Sequence, residues 1–369
     1  MSGRARVLIR PAEYDDKTLD RVVEEIFDSF ACKIDGQKVL VKPNMLSGRP
    51  PERAVTTHPS VVAAVVRALE RRRAGEIMVG DNPGMRHYGD SSEVAAATGI
   101  LDVARPYFRN LGQSPRRIRM HNPYAGEVVI SGEVLECDVL VTLPKFKTHS
   151  LTALTCAVKN SYGFLLGAEK ARLHRVARSA EAFAGVVVAV WALRRPDVAI
   201  VDAVSAMQGN GPSSRDIFHY GRLLASDDSV ALDAVAGALM GLRPDEVKTT
   251  VEAARRGLGQ ADLDKIDIDG PFKAIEGFKL PMTMGRGRFA QIVSGLAGGL
   301  FISRPRPDIN ECVRCKLCME HCPTSAIRMD PYPVISHKKC IRCYCCLEFC
   351  PVEAMKLSRR VSLFRKIGR

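Results

Sequence analysis

The sequence predicts an α/β protein: a mostly parallel sheet with helices on both faces, followed by a small C-terminal α+β module rich in cysteine. Three observations carry this expectation. Short apolar runs alternate with helical patterns from the N-terminus to about residue 280. A stretch rich in Gly, Arg and Pro then interrupts them between Met282 and Pro307. Beyond it, eight cysteines fall in two runs of identical spacing.

Val7–Arg10 and Lys38–Val41 read as short strands, with a helical pattern over Thr18–Phe30 between them. Thr57, His58 and Pro59 open a helix that reaches Arg73, because proline suits a first helical turn. Glu76–Gly80 is the next strand and breaks into Asp81-Asn82-Pro83-Gly84, a turn sequence. Val139–Leu143 is an apolar strand ended by Pro144. Ser179–Arg194 reads as a buried helix followed by a strand over Asp197–Asp202, and Leu232–Gly241 and Asp245–Gly257 read as two further helices. Ligands of such sheets gather beyond the carboxyl ends of the strands. Four polar loops fall there: Lys42-Pro43-Asn44, Asp81–Gly84, Lys145–His149 and Asp202–Pro212. The expected boundaries are an α/β domain over 1–280, a linker over 281–305 with a short helix from Phe289 to Ile302, the cysteine module over 306–357, and a basic tail over 358–369.

The first run is Cys312-x2-Cys315-x2-Cys318-x3-Cys322-Pro323 and the second is Cys340-x2-Cys343-x2-Cys346-x3-Cys350-Pro351. Every cysteine and both prolines repeat at one offset (340 − 312 = 28), which marks an internal duplication. This is the bacterial iron–sulfur spacing, in which the fourth cysteine of each run ligates the other cluster. One [4Fe-4S] cluster is therefore expected on Cys312, Cys315, Cys318 and Cys350, and a second on Cys340, Cys343, Cys346 and Cys322. Two-residue gaps let a tight turn aim three thiolates at one cube, leaving the fourth to come from elsewhere. Zinc accounts poorly for the third cysteine and the trailing Cys-Pro. Disulfides would need an oxidising compartment, and Met1–Arg10 carries no apolar h-region to signal one. A cytoplasmic setting is expected. Cys345 stands outside the pattern and is expected to be a packed free thiol. The stretch resembles a two-cluster 4Fe-4S ferredoxin.

The formal charge is +13, from 54 Lys and Arg against 41 Asp and Glu. Arg304 to Arg369 holds 14 of the former and 6 of the latter, so +8 of the excess surrounds the cysteines. An oxidised cube with four thiolates carries about −2, and nearby cations compensate it. Nucleic acid is not an expected partner, because no binding motif accompanies the charge and aromatics are few. No apolar stretch reaches the length of a membrane span. The tail Arg359–Lys366 offers a peripheral contact with an anionic membrane or a partner, against the favoured reading of a solvated, frayed terminus.

The densest polar constellation is Leu143-Pro144-Lys145-Phe146-Lys147-Thr148-His149, continuing to Thr155, Lys159, Asn160, Gly163 and Lys170. With Lys42 and Asn44 from another strand end it suggests a positive pocket for carboxylate or phosphate groups, where a desolvated lysine has a depressed pKa useful in catalysis. Lys42, Lys147, His149 and Lys159 are the candidate catalytic residues; Lys145, Asn160, Asp81, Asp202 and Asn210 are the candidates for holding a cofactor or ligand. Taken alone, Lys145 and Lys147 read as a solvated face; with Lys42 and Lys159 the two readings stand level. Asp81, Asp202, Asp228 and Asp233 are placed to balance that charge or to hold a cation with His149. Asn210-Gly211-Pro212 is a loop able to offer N–H groups to an anion, or an ordinary turn. No Walker A or G-x-G-x-x-G fingerprint is present, so a nicotinamide is unsupported, while a flavin, metal or organic cofactor stays open.

The segments Val39–Asn44, Thr57–Pro59, Gly80–Gly84, Leu143–His149 with Val158–Asn160, Val201–Met207 with Asn210–Pro212, and Ser226–Asp233 together resemble domain-of-unknown-function family 362. The resemblance runs from about Lys38 to Gly241 and implies an α/β sheet often followed by a ferredoxin module, with no settled reaction. Two functions follow from these readings. The first is an iron–sulfur oxidoreductase passing electrons to an anionic substrate or cofactor in the N-terminal domain. The second is a ferredoxin-like carrier or maturation factor whose N-terminal domain docks a redox partner.

Overall fold

The computed structural model describes residues 4–84, 90–284 and 301–361. Its strands up to residue 284 are β1 (Ala5–Pro11), β2 (Lys38–Pro43), β3 (Glu76–Val79), β4 (Pro115–Arg119), β5 (Glu127–Ser131), β6 (Val139–Leu143), β7 (Lys145–His149), β8 (Ala153–Thr155), β9 (Val198–Met207), β10 (Ile217–Ser226) and β11 (Ile266–Asp269). The helices are α1 (Asp16–Ser29), α2 (Pro59–Arg71), α3 (Ser92–Ala97), α4 (Ile100–Ala104), α5 (Gly132–Glu136), α6 (Ala157–Asn160), α7 (Glu169–Val176), α8 (Ala180–Leu193), α9 (Ser229–Leu239) and α10 (Lys248–Arg255). One mixed sheet runs in the order β11-β1-β10-β9-β6-β2-β3. Beyond β6, β7 continues alongside β9, and β8 turns back upon β7. Only β10 and β8 oppose the common direction of this sheet, so the mostly parallel α/β expectation holds.

Side-chain alternation sorts the strands onto two faces. Val39, Val41, Val139, Val141, Val198 and Ile200 pack with the apolar stripes of α1 and α2. Leu40, Met78 and Leu140 pack with α8, while Ala199, Val201 and Ala203 pack with α9. The α1 stripe is Leu19, Val22, Val23, Ile26 and Phe27, and the Asp15 carboxylate caps the helix by accepting from Thr18 N at 2.9 Å. In α8 nearly every residue is apolar and every one from Ala182 to Trp191 is buried, as an all-round apolar helix requires.

Two stretches expected as loops are strands. β9 continues past Asp202 to Met207, and Lys145–His149 forms β7 against it, pairing Lys145 with Asp202 and Lys147 with Met207. Every residue of β7 is buried. Phe146 enters the α9-side core while the lysines on either side of it find polar partners, so the strand carries no apolar run to betray it. The antiparallel β10 and the ribbon of β4 and β5 were not anticipated. Asp245–Gly257 divides into a 3-10 turn over Pro244–Glu246 and α10.

In the cysteine module β12 (Phe301–Pro307) pairs with β15 (Met355–Val361), and β13 (Ile327–Asp330) with β14 (Tyr332–Ile335). The segment expected as linker through residue 305 and the tail expected from 358 thus each give residues to one ladder. Its prolines, Pro305 and Pro307, sit in a two-stranded sheet that has edges on both sides. Most of the helix expected over Phe289–Ile302, and tail residues 362–369, lie outside the described residues. The duplication is visible in the backbone. Arg314 and Arg342, Lys316 and Tyr344, and Ser325 and Glu353 share positive φ, each pair at the 28-residue offset. Short helices at Leu317–Glu320 and Cys345–Glu348 match in the same way. Among the described residues no helix is long and apolar enough to cross a membrane.

The module sits on the carboxyl-end side of the large sheet through its second half. Arg49 donates to Pro351 O at 2.6 Å and to Cys350 O at 3.2 Å. Glu353 pairs with Arg53 and, at 3.0 Å, with Arg215, while Leu151 and Met282 pack onto the module's small core. Glu353→Ala should weaken this docking by about 1–3 kcal/mol, since two cations lose one part-buried acceptor. Small-angle scattering at low salt should then report a larger radius of gyration with an unchanged circular dichroism spectrum. An unchanged radius would mean the apolar contacts alone hold the module.

Candidate functional site

The end of β2, the strand β7 and the helix α6 bring four lysines together, two answered by an aspartate and two without one. Lys42 at the end of β2 is fully buried and pairs with Asp81, just past β3, at 2.7 Å. The Asp81 carboxylate also accepts from Met45 N at 2.8 Å and Asn82 N at 2.9 Å. Asn160 Oδ1 adds a contact to Lys42 at 3.3 Å. Burial lowers the Lys42 pKa, and the Asp81 charge opposes that shift. The turn at Gly163 passes directly over the pair. A Cβ there would stand 2.1 Å from Asp81 Oδ1 and 2.6 Å from Lys42 Nζ, so only glycine fits.

Lys145 and Asp202 make the second pair, at 2.7 Å and both fully buried. Tyr14 accepts from Lys145 at 2.8 Å and donates to Asp202 Oδ1 at 2.9 Å, and the other carboxylate oxygen accepts from His58 N. His58 stacks on Tyr14 with ring centroids 3.6 Å apart. Asp202 is thereby committed to structure. Asp233 and Asp228 are committed too: Asp233 accepts from Ala157 N and Val158 N at the start of α6, and Asp228 caps α9 through Val230 N and Ala231 N. Burial pushes the Asp233 carboxyl up to about 7. No three His, Cys, Asp or Glu among the described residues converge on a single ion. Asn210 accepts from Met282 N at 2.8 Å, and Gly211 N is taken by Gly209 O, so this loop serves as an internal brace.

Lys147 and Lys159 have no such acid. Lys147 is buried and donates to Asn44 Oδ1 at 2.8 Å and Val55 O at 2.7 Å. Desolvation, reinforced by the charge of Lys159, holds its pKa well below that of a free lysine. Lys159, half-buried on α6, has no hydrogen bond or ion pair with any described residue. Both line a cavity of about 660 Å³, counting its open mouth, together with Asn44, Asp81, Asn160 and Lys170. Lys170 donates to Pro83 O at 2.8 Å, and burial lowers it to about 8. The opposite wall is Cys345, Glu348 and Phe349, from within the second cysteine run. Lys145, His149, Asp202 and Asn210 do not line this cavity.

His149 lies beside it. Its Nδ1 accepts from Leu151 N at 3.0 Å, so Nε2 carries the proton and points at Glu348 Oε1, 3.5 Å away. Burial and the charge of Lys159 lower His149 to about 4, so the ring is neutral near pH 7. Burial would raise Glu348, but the hydrogen bond from His149 and the charge of Lys159 overturn it and hold the carboxyl low. Cys345 is buried.

Cys312, Cys315, Cys318 and Cys350 line a small cavity of their own, which brings the fourth cysteine of the second run to the first run. Burial and the neighbouring thiols of Cys343, Cys340, Cys318 and Cys322 raise the Cys346 thiol. Cys322 and Cys350 each accept a backbone N–H, from Ala326 at 3.2 Å and Ala354 at 3.1 Å. Such N–H···S bonds suit a thiolate, and this donor set fits an iron–sulfur cube.

A model of the family "Domain of unknown function (DUF362)" matches residues 39–238, and one described as a 4Fe-4S binding domain matches residues 305–328. The chain belongs to the DUF362 family. It carries a 4Fe-4S binding domain C-terminal to the DUF362 domain. The Thylakoid-associated protein sll1697 of Synechocystis sp. is 34% identical over 230 residues, which cover 60% of this chain and 69% of that protein. Among solved structures, the lactate racemase apoprotein from Thermoanaerobacterium thermosaccharolyticum aligns at a TM-score of 0.40 and 12% identity, over 65% of this chain and 58% of its own. A protein from Thermotoga maritima aligns at 0.39 and 10%, over 62% and 59%. The chain spans under three fifths of each of these two structures, and likeness at that level says nothing about the chemistry of the DUF362 domain.

Sequence reasoning missed Glu348, Tyr14 and His174. Glu348 sits in an ordinary-looking helix turn between two ligand-type cysteines, and Tyr14 precedes α1 with no local pattern. His174 on α7 stacks on Phe183 at 4.2 Å, lines the cavity, and has an Nδ1 without a hydrogen-bond partner among the described residues. Burial lowers it to about 3. A histidine held below its free pKa of 6.5 contributes stability that is present above pH 6.5 and lost as pH falls through the folded value. Stability should therefore drop between pH 6.5 and 4, by roughly 3 kcal/mol for each of His149 and His174. Urea midpoints measured anaerobically across that range should flatten by about one proton in His174→Phe, which keeps the stack. An unaltered slope would place the titration elsewhere.

Proposed function

We propose that this chain is an iron–sulfur oxidoreductase in which two [4Fe-4S] clusters pass electrons to or from a small anionic molecule bound at the DUF362 domain. The observation that carries the reading is the shared cavity: Lys147 and Lys159 line one wall, and Cys345, Glu348 and Phe349, within the second cysteine run, line the other. In this reading Cys340, Cys343, Cys346 and Cys322 hold the cluster beside the cavity, and Cys312, Cys315, Cys318 and Cys350 hold the outer one. Bound clusters supply single electrons. Fusion of the two domains keeps donor and acceptor at high effective concentration.

The chain's own residues then have distinct tasks. Lys159, with all three ammonium protons free, binds the anion. Lys147 spends two donors on Asn44 and Val55 and keeps one for the cavity. Its depressed pKa suits it to give or take the proton that accompanies electron transfer. Lys42 and Lys145 are positioning residues, since each is closed by its own carboxylate. His149 positions Glu348 by donating from Nε2. The reading leaves the cytoplasm as the expected setting and a soluble redox protein as the expected partner.

Cluster connectivity is tested by Cys350→Ser, which should damage the cluster built on Cys312, Cys315 and Cys318 and spare the other in EPR spectra. Damage confined to the Cys340–Cys346 cluster would refute the crossover. For the site, anaerobically purified protein should yield a co-purifying small anion on mass spectrometry of denatured extracts. Lys159→Ala should reduce it at least about tenfold at unchanged iron content, the loss expected when a buried charge pair is broken. Full iron with no anion in either protein would favour a bare electron carrier.

A further inference from the structure

The cavity between the two domains is chemically more specific than a positive pocket, and this refinement rests on the reading above. Most of its polar lining is already spent. Asp81 accepts from Lys42, Met45 N and Asn82 N. Asn44 and Asn160 bind each other at 3.2 Å as well as Lys147 and Lys42. Lys170 is turned onto the carbonyls of Asn82 and Pro83.

Four functional groups remain. Lys159 offers an unpaired ammonium, and Lys147 one proton. The Thr155 hydroxyl and His174 Nδ1 are buried without a hydrogen-bond partner among the described residues, their residues being 3% and 7% exposed, and both residues line this cavity. A buried hydroxyl or imidazole nitrogen left unsatisfied costs about 1–3 kcal/mol, so groups of this kind are held for a ligand or water. The His174 ring is fixed by its stack on Phe183 and its edge contact with Tyr162, so Nδ1 cannot swing to another partner.

The free groups dictate the ligand. One ammonium plus one shared proton match the two oxygens of a carboxylate. A phosphate brings more charge and more acceptor oxygens than these two donors answer; lysine binds it as a point charge, and a guanidinium or a nest of backbone N–H groups would add the further donors. Among the described residues no arginine lines the cavity, and Glu348 brings a carboxylate of its own that repels a second negative charge. Thr155 and His174 add a second polar subsite, suited to a hydroxyl, which donates to the imidazole and accepts from the threonine. We propose that the inter-domain cavity binds a small monocarboxylate bearing a second, hydroxyl-like polar group, with the carboxylate on Lys159 and Lys147 and the polar group between Thr155 and His174.

The test uses the full chain, purified anaerobically with its iron counted, and calorimetric titration with glycolate, acetate and inorganic phosphate. Glycolate should bind at least several-fold more tightly than acetate, and both more tightly than phosphate. Lys159→Met should weaken glycolate at least tenfold, and Lys159→Arg, which keeps the charge, should restore most of it. Thr155→Val should bring glycolate down to the level of acetate while leaving acetate unchanged. Tighter binding of phosphate, equal binding of glycolate in wild type and Thr155→Val, or no heat from any probe at tens of millimolar would overturn the assignment. The titration reads binding without electron transfer. Failure of the oxidoreductase reading would appear separately, as glycolate binding that leaves the rate of cluster reoxidation unchanged.

Discussion

Everything at the carboxyl end of this sheet depends on how buried lysine charge is neutralised. An ammonium taken from water into a protein interior costs several kcal/mol unless a well-oriented partner compensates it. Lys42 and Lys145 meet the requirement with Asp81 and Asp202, each carboxylate being further satisfied by backbone N–H groups. These pairs cross between neighbouring chain segments. The Lys42 pair ties the end of β2 to the turn after β3, and the Lys145 pair ties β7 to β9. Breaking one partner of such a pair leaves an unpaired buried charge and costs about 3–5 kcal/mol, so they fix the strand ends in register. With those two cations closed, the local geometry leaves Lys147 and Lys159 as the groups whose charge is answered incompletely.

The cysteine module supplies the rest of that answer through an asymmetry within its duplication. Glu320 and Glu348 are equivalent at the 28-residue offset, as are Ser325 and Glu353. In the second half, Glu348 faces His149 and Lys159, and Glu353 bridges Arg53 and Arg215. In the first half, Glu320 is exposed and serine stands in place of the second acid. The same fold unit has thus become a docking face in one copy by acquiring carboxylates that match a basic platform. Opposite charges at the junction select this half over its near twin, as complementary potentials do between separate proteins.

The main architecture was legible because it rests on apolar periodicity. The stripe of α1, the proline opening α2, the all-apolar α8 and the Val-rich β2 and β6 each announce themselves within a dozen residues. The two cysteine runs were equally plain, since spacing and a trailing proline are local signals. What stayed hidden is set by distant contacts. β7 looks like a polar loop because the partners of its lysines, Asp202, Asn44 and Val55, lie far away in sequence. For the same reason the polar residues picked from strand ends divide between two roles. Lys147, Lys159, Asn160 and Asp81 reach the cavity, whereas Lys42, Lys145, Asp202 and Asn210 are closed into structural networks. Nothing in a strand-end motif distinguishes a lysine with a waiting carboxylate from one without.

That distinction is where the chemistry lies. A lysine paired with aspartate is electrostatically finished, and its proton is held on both sides by the same partner. Lys147 is held by neutral oxygens, so its protonated form is hydrogen-bonded yet poorly compensated, and the pKa falls. The charge of Lys159 adds to that fall, and Glu348 opposes it. A carboxylate brought to Lys159 would act in the sense of Glu348, raising the proton affinity of Lys147 as it binds. Ligand binding and protonation of Lys147 are therefore coupled by charge alone, with no movement of the backbone required. In the proposed reading, an arriving anion would set the charge of Lys147.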